Sequence, residues 1–362
     1  MRSIFIKKYE QLSHKSCFES IPGSGWVNVP LCLLSLSLLT GCAHIAEPPN
    51  PAPPADLAFS SSGDASAPVE WWTTWDDSAL NSRIEQALTG NRSLEASWER
   101  LQAAQAVARR EASSFFPELN GFGRAQSTRS DAGSRNGEGD DTLEVGLSAA
   151  YEVDLWGRIR ATVQAERFQV EATAADYQAA ALSLASQVAV TWYRIAESNR
   201  SIELLEAQAV ANSKVLDSLK NRFRGGQVQS VDILRQQQLL EATQEQLILA
   251  RSEREVLEHQ LAVLSGEPPQ TTPAPQPRTL PELPPVPATG LPSDLVLRRP
   301  DLQSALFDLK VADRELAAAV SNRYPRLNLT ASLTSSSGDP SELFEDWTRS
   351  IAAELVGPII DG

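Results

Sequence analysis

The sequence predicts a mainly α protein with a β-barrel portion, in which one long antiparallel coiled-coil hairpin is joined to two β-hairpins. Three observations carry that expectation. Helical periodicity runs from Arg158 to about Arg224 without a proline or glycine. Strict apolar/polar alternation marks Leu143–Leu155. A shift of 208 residues aligns Leu94, Leu101, Ala104, Ser113, Pro117, Leu119 and Asn120 with Leu302, Leu309, Ala312, Ser321, Pro325, Leu327 and Asn328 without a gap.

Composition narrows the function classes before any motif is considered. With 42% hydrophobic and 22% charged residues among 362, the chain is a folding sequence and not a disordered one. Its 46 acidic against 32 basic residues give a formal charge of −14, and the basic residues are dispersed, so nucleic-acid binding has no electrostatic footing. Cys17, Cys32 and Cys42 all precede residue 43, which removes disulfides and a cysteine metal cluster from any chain processed at Cys42. No nucleophile/base pair or phosphate loop is visible, so no enzyme, cofactor or metal is expected.

The elements follow in order. Residues 1–41 read as a secretory leader: Arg2, Lys7, Lys8 and Lys15 form a long basic region, long enough to fit a start codon assigned too early. Leu31–Leu39 is apolar but too short to span a bilayer. Leu39-Thr40-Gly41-Cys42 resembles a bacterial lipobox, which implies cleavage before Cys42, lipidation of its sulfur, and, with Ala43 next, an outer-membrane destination. Residues 42–70 form a Pro-rich tether. Residues 71–116 open with Trp71, Trp72 and Trp75, which suit either a ligand platform or packing of the tether against a helix capped by Asp76 and Asp77.

Residues 117–156 read as a β-hairpin, Leu119 to about Thr128 pairing with Leu143–Leu155 across a Gly/Ser/Asp-rich loop. One face is greasy and the other polar and acidic, as lipid outside and water inside would require. Residues 157–266 form the long hairpin. Leu184, Val188, Thr191, Ile195, Ser198, Ile202, Leu205, Ala209, Asn212, Leu216, Leu219 and Phe223 make a heptad seam, and Leu182, Ala185, Ala189, Trp192 and Ala196 form a second stripe. About 66 residues at 1.5 Å rise give ~100 Å. Arg224-Gly225-Gly226-Gln227 turns the chain, and Ile233, Leu240, Leu247, Leu257 and Leu261 mark the return helix. A Pro-rich connector (267–292) leads to the second copy, with a helix over 293–323 and a hairpin over 324–362. Its junctions, Phe116-Pro117 and Tyr324-Pro325, are where helix becomes strand.

On these residues the chain after Cys42 resembles a TolC-like outer-membrane factor, of the lipoprotein branch of outer-membrane efflux proteins serving tripartite drug pumps. The segments that carry the resemblance are Trp72–Leu80, Tyr151-Glu152-Val153-Asp154-Leu155-Trp156-Gly157-Arg158, Arg222-Phe223 through Ser230-Val231-Asp232, and Leu297-Arg298-Arg299-Pro300-Asp301-Leu302. The resemblance implies a homotrimer with a shared 12-stranded barrel and a helical periplasmic tunnel. It implies passive export of drugs or other small compounds, with an inner-membrane transporter supplying energy. A periplasmic adaptor would meet the hairpin tip at Arg222, Gly225, Gly226, Gln227 and Ser230. Asp154, Leu155, Trp156 and Gly157 would form the strand-to-helix junction. The rival class is a non-channel periplasmic coiled-coil scaffold lipoprotein, which leaves the greasy strand face without a purpose. The second repeat reaches Gly362 where another long hairpin is expected, so the sequence reads as a fragment short of roughly a hundred residues. The alternative is a short protein of new architecture.

Cys42→Ser is expected to abolish incorporation of labelled palmitate while leaving export intact, because the apolar leader segment is unchanged; palmitate labelling of the mutant would exclude this site.

Overall fold

Asp77 sets the start of the first helix and ties it to the longest one. Its Oδ1 accepts the backbone N–H groups of Ala79 at 3.1 Å and Leu80 at 3.0 Å, capping α1 (Ser78–Gly90). Its Oδ2 accepts the indole N–H of Trp192 at 3.0 Å. Asp76, expected to share the cap, is instead left-handed (φ 51°) and closes the 3₁₀ turn Trp71–Trp75. The computed structural model describes residues 70–129, 139–269 and 298–360. The leader, Cys42, the tether, nearly all of the connector and Gly362 lie outside the described residues.

After α1 come α2 (Arg92–Ala112), β1 (Glu118–Arg129), β2 (Gly139–Val153), α3 (Arg158–Arg224), α4 (Ser230–Leu264), α5 (Pro300–Ser321), β3 (Arg326–Ser337) and β4 (Thr348–Val356). The chain divides into two compact units, one holding residues 70–97, 177–269 and 298, the other 98–129, 139–176 and 299–360.

In the first unit, Trp72, Leu80, Ile84 and Ala87 pack against Leu94 of α2, against Leu184, Ala185, Val188, Ala189, Trp192 and Ile195 of α3, and against Leu257 and Leu261 of α4. Alanines at 181, 185 and 189 bring the helix backbones close. The tryptophans belong to this packing: Trp71 meets Trp72 and Trp75 edge-on at 5.8 and 5.4 Å, and Trp75 lies 5.1 Å from the Tyr193 ring. Their partner is thus α3 as well as the helix start.

The single helix expected over 71–116 is broken at Gly90-Asn91. Asn91 stops one helix and starts the next, its Oδ1 accepting from Ser93 and Leu94 N–H at 3.0 Å and its Nδ2 donating to the Leu264 carbonyl at 3.0 Å. A Cβ on Gly90 would stand 2.9 Å from the Ser265 oxygen, so the end of α4 fits only against a glycine. Glu267 fastens the same corner by accepting from Arg83 at 3.2 Å and from Gln86.

Along α3 and α4 the expected seam is buried from Leu184 through Ile202 and again at Leu216, while Phe223 is 46% exposed. Leu182, placed in the second stripe, is 42% exposed. Register is fixed by polar bonds within the seam: Asn212 Nδ2 donates to Thr243 Oγ1 at 3.0 Å, Gln236 Nε2 to the Asn212 carbonyl at 3.1 Å, and Ser198 Oγ to the Ala250 carbonyl at 3.3 Å.

Asp77→Ala removes a cap and leaves a buried indole N–H without an acceptor, so it should cost about 2 kcal/mol in denaturant unfolding. Asp77→Asn, which keeps the cap, should cost about half as much. Burial, and then the charge of Asp77, pushes the Tyr193 hydroxyl from 10.0 up to about 12. Between those values the unfolded chain has released a proton that the folded chain retains. The contribution is therefore complete below pH 10 and lost as pH rises through 12. Tyr193→Phe should flatten the alkaline limb of a stability-against-pH curve.

Candidate functional site

The second unit carries one antiparallel four-stranded sheet in the order β1-β2-β3-β4. Because directly opposed residues share a face, the register sorts every side chain. Leu119 stands opposite Ala149, which stands opposite Ala331, which stands opposite Ile351. The same face carries Leu143, Val145, Leu147, Tyr151, Val153, Leu327, Leu329, Leu333, Ala353 and Leu355. The opposite face carries Glu118, Asn120, Arg124, Glu144, Ser148, Glu152, Asn328, Thr330, Ser332, Thr334 and Glu354. The alternation read in β2 thus extends across the whole sheet, and the apolar face is open: Ile351 is 91% exposed. On the polar side Phe122 and, at the end of β4, Val356 are exceptions; Phe122 lies opposite Gly146, where an added Cβ would sit 3.1 Å from the Phe122 ring.

The strand-to-helix junction is dense with bonds. Asp154 accepts the backbone N–H of Ile159 at 3.1 Å and of Arg160 at 3.0 Å, so its carboxylate caps α3. Glu152 and Arg158 make a two-bond fork at 2.9 and 2.7 Å. Gly157 has φ +80°, the left-handed turn from strand into helix. Leu155 lies just past the end of β2 and is half exposed. Trp156 reaches across to the second repeat: its indole N–H donates to the Pro325 carbonyl at 2.7 Å, its ring stacks on Tyr324 at 4.9 Å, and its carbonyl accepts from Ser321 Oγ at 3.1 Å. The chain leaving β4 passes close by, since a Cβ on Gly357 would stand 3.0 Å from Pro325 Cγ.

Two expected junction sites, Trp156 and Pro325, are therefore partners. Pro117 occupies the place corresponding to Pro325 in the first repeat, after the 3₁₀ turn Ser113–Phe115, and is exposed. The sequence placed Glu152, Ser321 and Tyr324 in the repeat and junction segments but gave them no bonding role. Their signal was proximity in sequence to the junctions, but which junction meets which is a matter of sheet pairing. At the start of α5, Pro300 occupies the first turn and Arg299 holds Asp301 at 2.6 Å, keeping that carboxyl below its usual range.

The hairpin tip lies in the other unit. Gly226 has φ +73°, and its N–H donates to the Phe223 carbonyl while Gln227 N–H donates to that of Arg222. Asp232 accepts the Gln229 N–H at 3.2 Å, starting α4. Arg222, Gly225, Gly226, Gln227 and Ser230 are all exposed, and a shallow polar depression beside them is lined by Lys214, Asp217, Ser218 and Asn221.

A sheet apolar on one face and polar on the other, joined in sequence to long seamed helices, is the pattern that comparison with known proteins identifies. The sequence matches the outer membrane efflux protein family over residues 83–267 and 291–356. The chain belongs to that family. It is 30% identical over 352 residues to the pyoverdine export outer membrane protein OpmQ of Pseudomonas aeruginosa, covering 91% of this chain and 73% of that one. Identity is also 30% to the toluene efflux pump outer membrane protein TtgI of Pseudomonas putida, over 348 residues covering 91% and 74%. Among solved structures the outer-membrane channel OprN superposes with a TM-score of 0.76 at 25% identity, covering 86% of this chain and 73% of that one. This efflux protein is accordingly an outer-membrane component of an export system, in a family of channels and not of enzymes.

Trp156→Phe keeps the stack on Tyr324 but not the bond to Pro325, and should lower stability by about 1 kcal/mol. Gly157→Ala places a side chain at positive φ and should cost about 1 to 2 kcal/mol. Both are measurable as lowered midpoints in thermal unfolding of the detergent-solubilised chain.

Proposed function

We propose that the efflux protein is the passive exit duct of a tripartite pump, three copies closing a 12-stranded barrel with the polar face of each sheet lining the lumen. The observation that carries this is the two-faced sheet. Its apolar face needs a nonpolar surrounding, and its edge strands β1 and β4 need further strands, because an open sheet edge in lipid leaves backbone groups unbonded. A closed barrel of several copies satisfies both demands. A periplasmic scaffold satisfies neither.

Gly225 and Gly226 shape a tight tip, and Arg222, Gln227 and Ser230 are free at its surface to meet a periplasmic adaptor, with an inner-membrane transporter supplying the energy. Lipid on Cys42 would add a second attachment. A lumen lined by Ser, Thr, Asn and charged side chains suits passage of compounds of varied chemistry. Two relatives named for pyoverdine and toluene carry chemically unlike cargo, which suits selection elsewhere in the pump.

Neighbouring cysteines test the duct. Leu147→Cys should react with a lipid-confined maleimide and Ser148→Cys with a water-soluble one, in outer-membrane fractions; equal labelling of both positions by the aqueous reagent would sink the barrel. Cysteine at Gln227 should cross-link to an adaptor protein, and capture of only a second copy of this chain would count against the tip assignment.

A further inference from the structure

At the level of Leu333 the apolar face of the sheet carries an arginine that the duct does not use. Arg349, at the start of β4, stands opposite Leu333, with Leu147 and Gly121 continuing the row. Ile351, Ala353 and Leu355 follow on the same face of its own strand. It is exposed. Four other arginines of the sheet and its junctions have partners: Arg124 meets Glu144 at 3.7 Å, Arg158 meets Glu152 at 2.7 Å, Arg160 meets Asp154 at 3.1 Å, and Arg326 donates to Asn322 at 2.8 Å. Among the described residues Arg349 has none. Within the paired strands the nearest carboxylate on its face is Asp141, opposite Ser127, about 20 Å farther along β2 than the Arg349 row, and neither Glu345 nor Asp346 in the connection before β4 bonds to Arg349. A second copy abutting through β1 brings no carboxylate either, since from Leu119 to Ser127 β1 shows Leu119, Gly121, Gly123, Ala125 and Ser127 on this face.

The level of Arg349 is also where the face changes character. Beyond Leu333, β3 turns to Ser335 and Ser337, and one residue before β4 stands Trp347, its ring 6.4 Å from Phe344. From Trp347 to Leu355 the strand covers ~27 Å, or about 20 Å of height at a barrel strand's tilt, close to the ~25 Å apolar band of an outer-membrane barrel. Trp347 therefore falls at the rim of that band, where aromatic side chains collect. An arginine two residues inside the rim is within reach of the headgroup layer, whereas the same residue at mid-depth would be strongly disfavoured.

We propose that Arg349, beside Trp347, binds the phosphate of a membrane lipid on the outside of the barrel, at the rim remote from the helices. A phosphate supplies the anion that this face lacks, and the guanidinium fork can bond two of its oxygens at once. Trp347 and Phe344 pack on the glycerol and upper acyl region. The inference rests on the barrel reading, so its test reports on both.

The full chain is purified in mild detergent, mixed with dioleoyl phosphatidic acid or dioleoylglycerol, and analysed by native mass spectrometry. Arg349→Gln should retain about tenfold less phosphatidic acid than the unaltered chain. Arg349→Lys should recover part of it, and retention of dioleoylglycerol, which lacks the phosphate, should not change. Arg326→Gln, on the polar face, should behave as the unaltered chain does. Added inorganic phosphate should compete weakly; full displacement at millimolar phosphate would show a plain anion site and overturn lipid recognition. Equal phosphatidic acid retention by Arg349→Gln and the unaltered chain would also overturn it. In parallel, Ile351→Cys carrying a nitroxide is measured in vesicles for contact with a lipid-soluble relaxer. Contact there with unchanged retention sinks the lipid site alone, and absence of contact sinks the barrel reading.

Discussion

A β-strand in lipid has no water to satisfy its backbone, and that constraint organises the whole molecule. Every N–H and C=O within the hydrocarbon layer must find another strand, so the sheet cannot end at β1 or β4. Given closure, side chains have only two directions, and the sequence divides them. Leucine and isoleucine of the strands fall on one side, asparagine, threonine and glutamate on the other, with serines and a few residues at the strand ends departing from the rule. The polar lumen is a by-product of the same rule that makes the outer face greasy.

Closure also explains why bonds concentrate where strands become helices. A barrel strand must be handed to a helix without loose polar groups. Asp154 does this for α3 by occupying two of its unsatisfied N–H groups, while Gly157 supplies the one backbone angle that a side chain would resist. Trp156 then ties that junction to the helix-to-strand junction of the second repeat through Pro325, Ser321 and Tyr324. The contact joins residues 169 apart in sequence, so it adds a side-chain tie to the pairing of β2 with β3.

Farther along α3 the organising force is helix packing. Leu184, Val188, Trp192 and Ile195 supply the large side chains of the seam, and the alanines between them let the neighbouring helices approach closely. Asn212 and Thr243 within the seam give α3 and α4 one register among several that leucine contacts alone would allow. Leu204, Leu234, Ile248 and Leu249 remain exposed on the hairpin, a surface suited to neighbouring helices in an assembly.

The sequence by itself determined the elements whose signal is periodic. An unbroken run without proline or glycine leaves α3 no alternative, and alternation in β2 and β3 identifies strands with two unlike faces. The 208-residue repeat announces that the strand pairs come from two copies of one unit. The signal fails where structure depends on a distant neighbour. The break at Gly90-Asn91 has a local signal only in Asn91, which caps the helix that follows it, whereas the need for glycine comes from Ser265 and the second bond of the asparagine from Leu264. The tryptophans at 71, 72 and 75 could be read as a platform until α3 was seen beneath them. The partnership of Trp156 with Pro325 and the outward aim of Arg349 required the register of three strand pairs. Periodicity is a property of neighbours along the chain, and so it can be read. Which residues share a row, a corner or a face is settled only when strands and helices from separate parts of the chain close on one another.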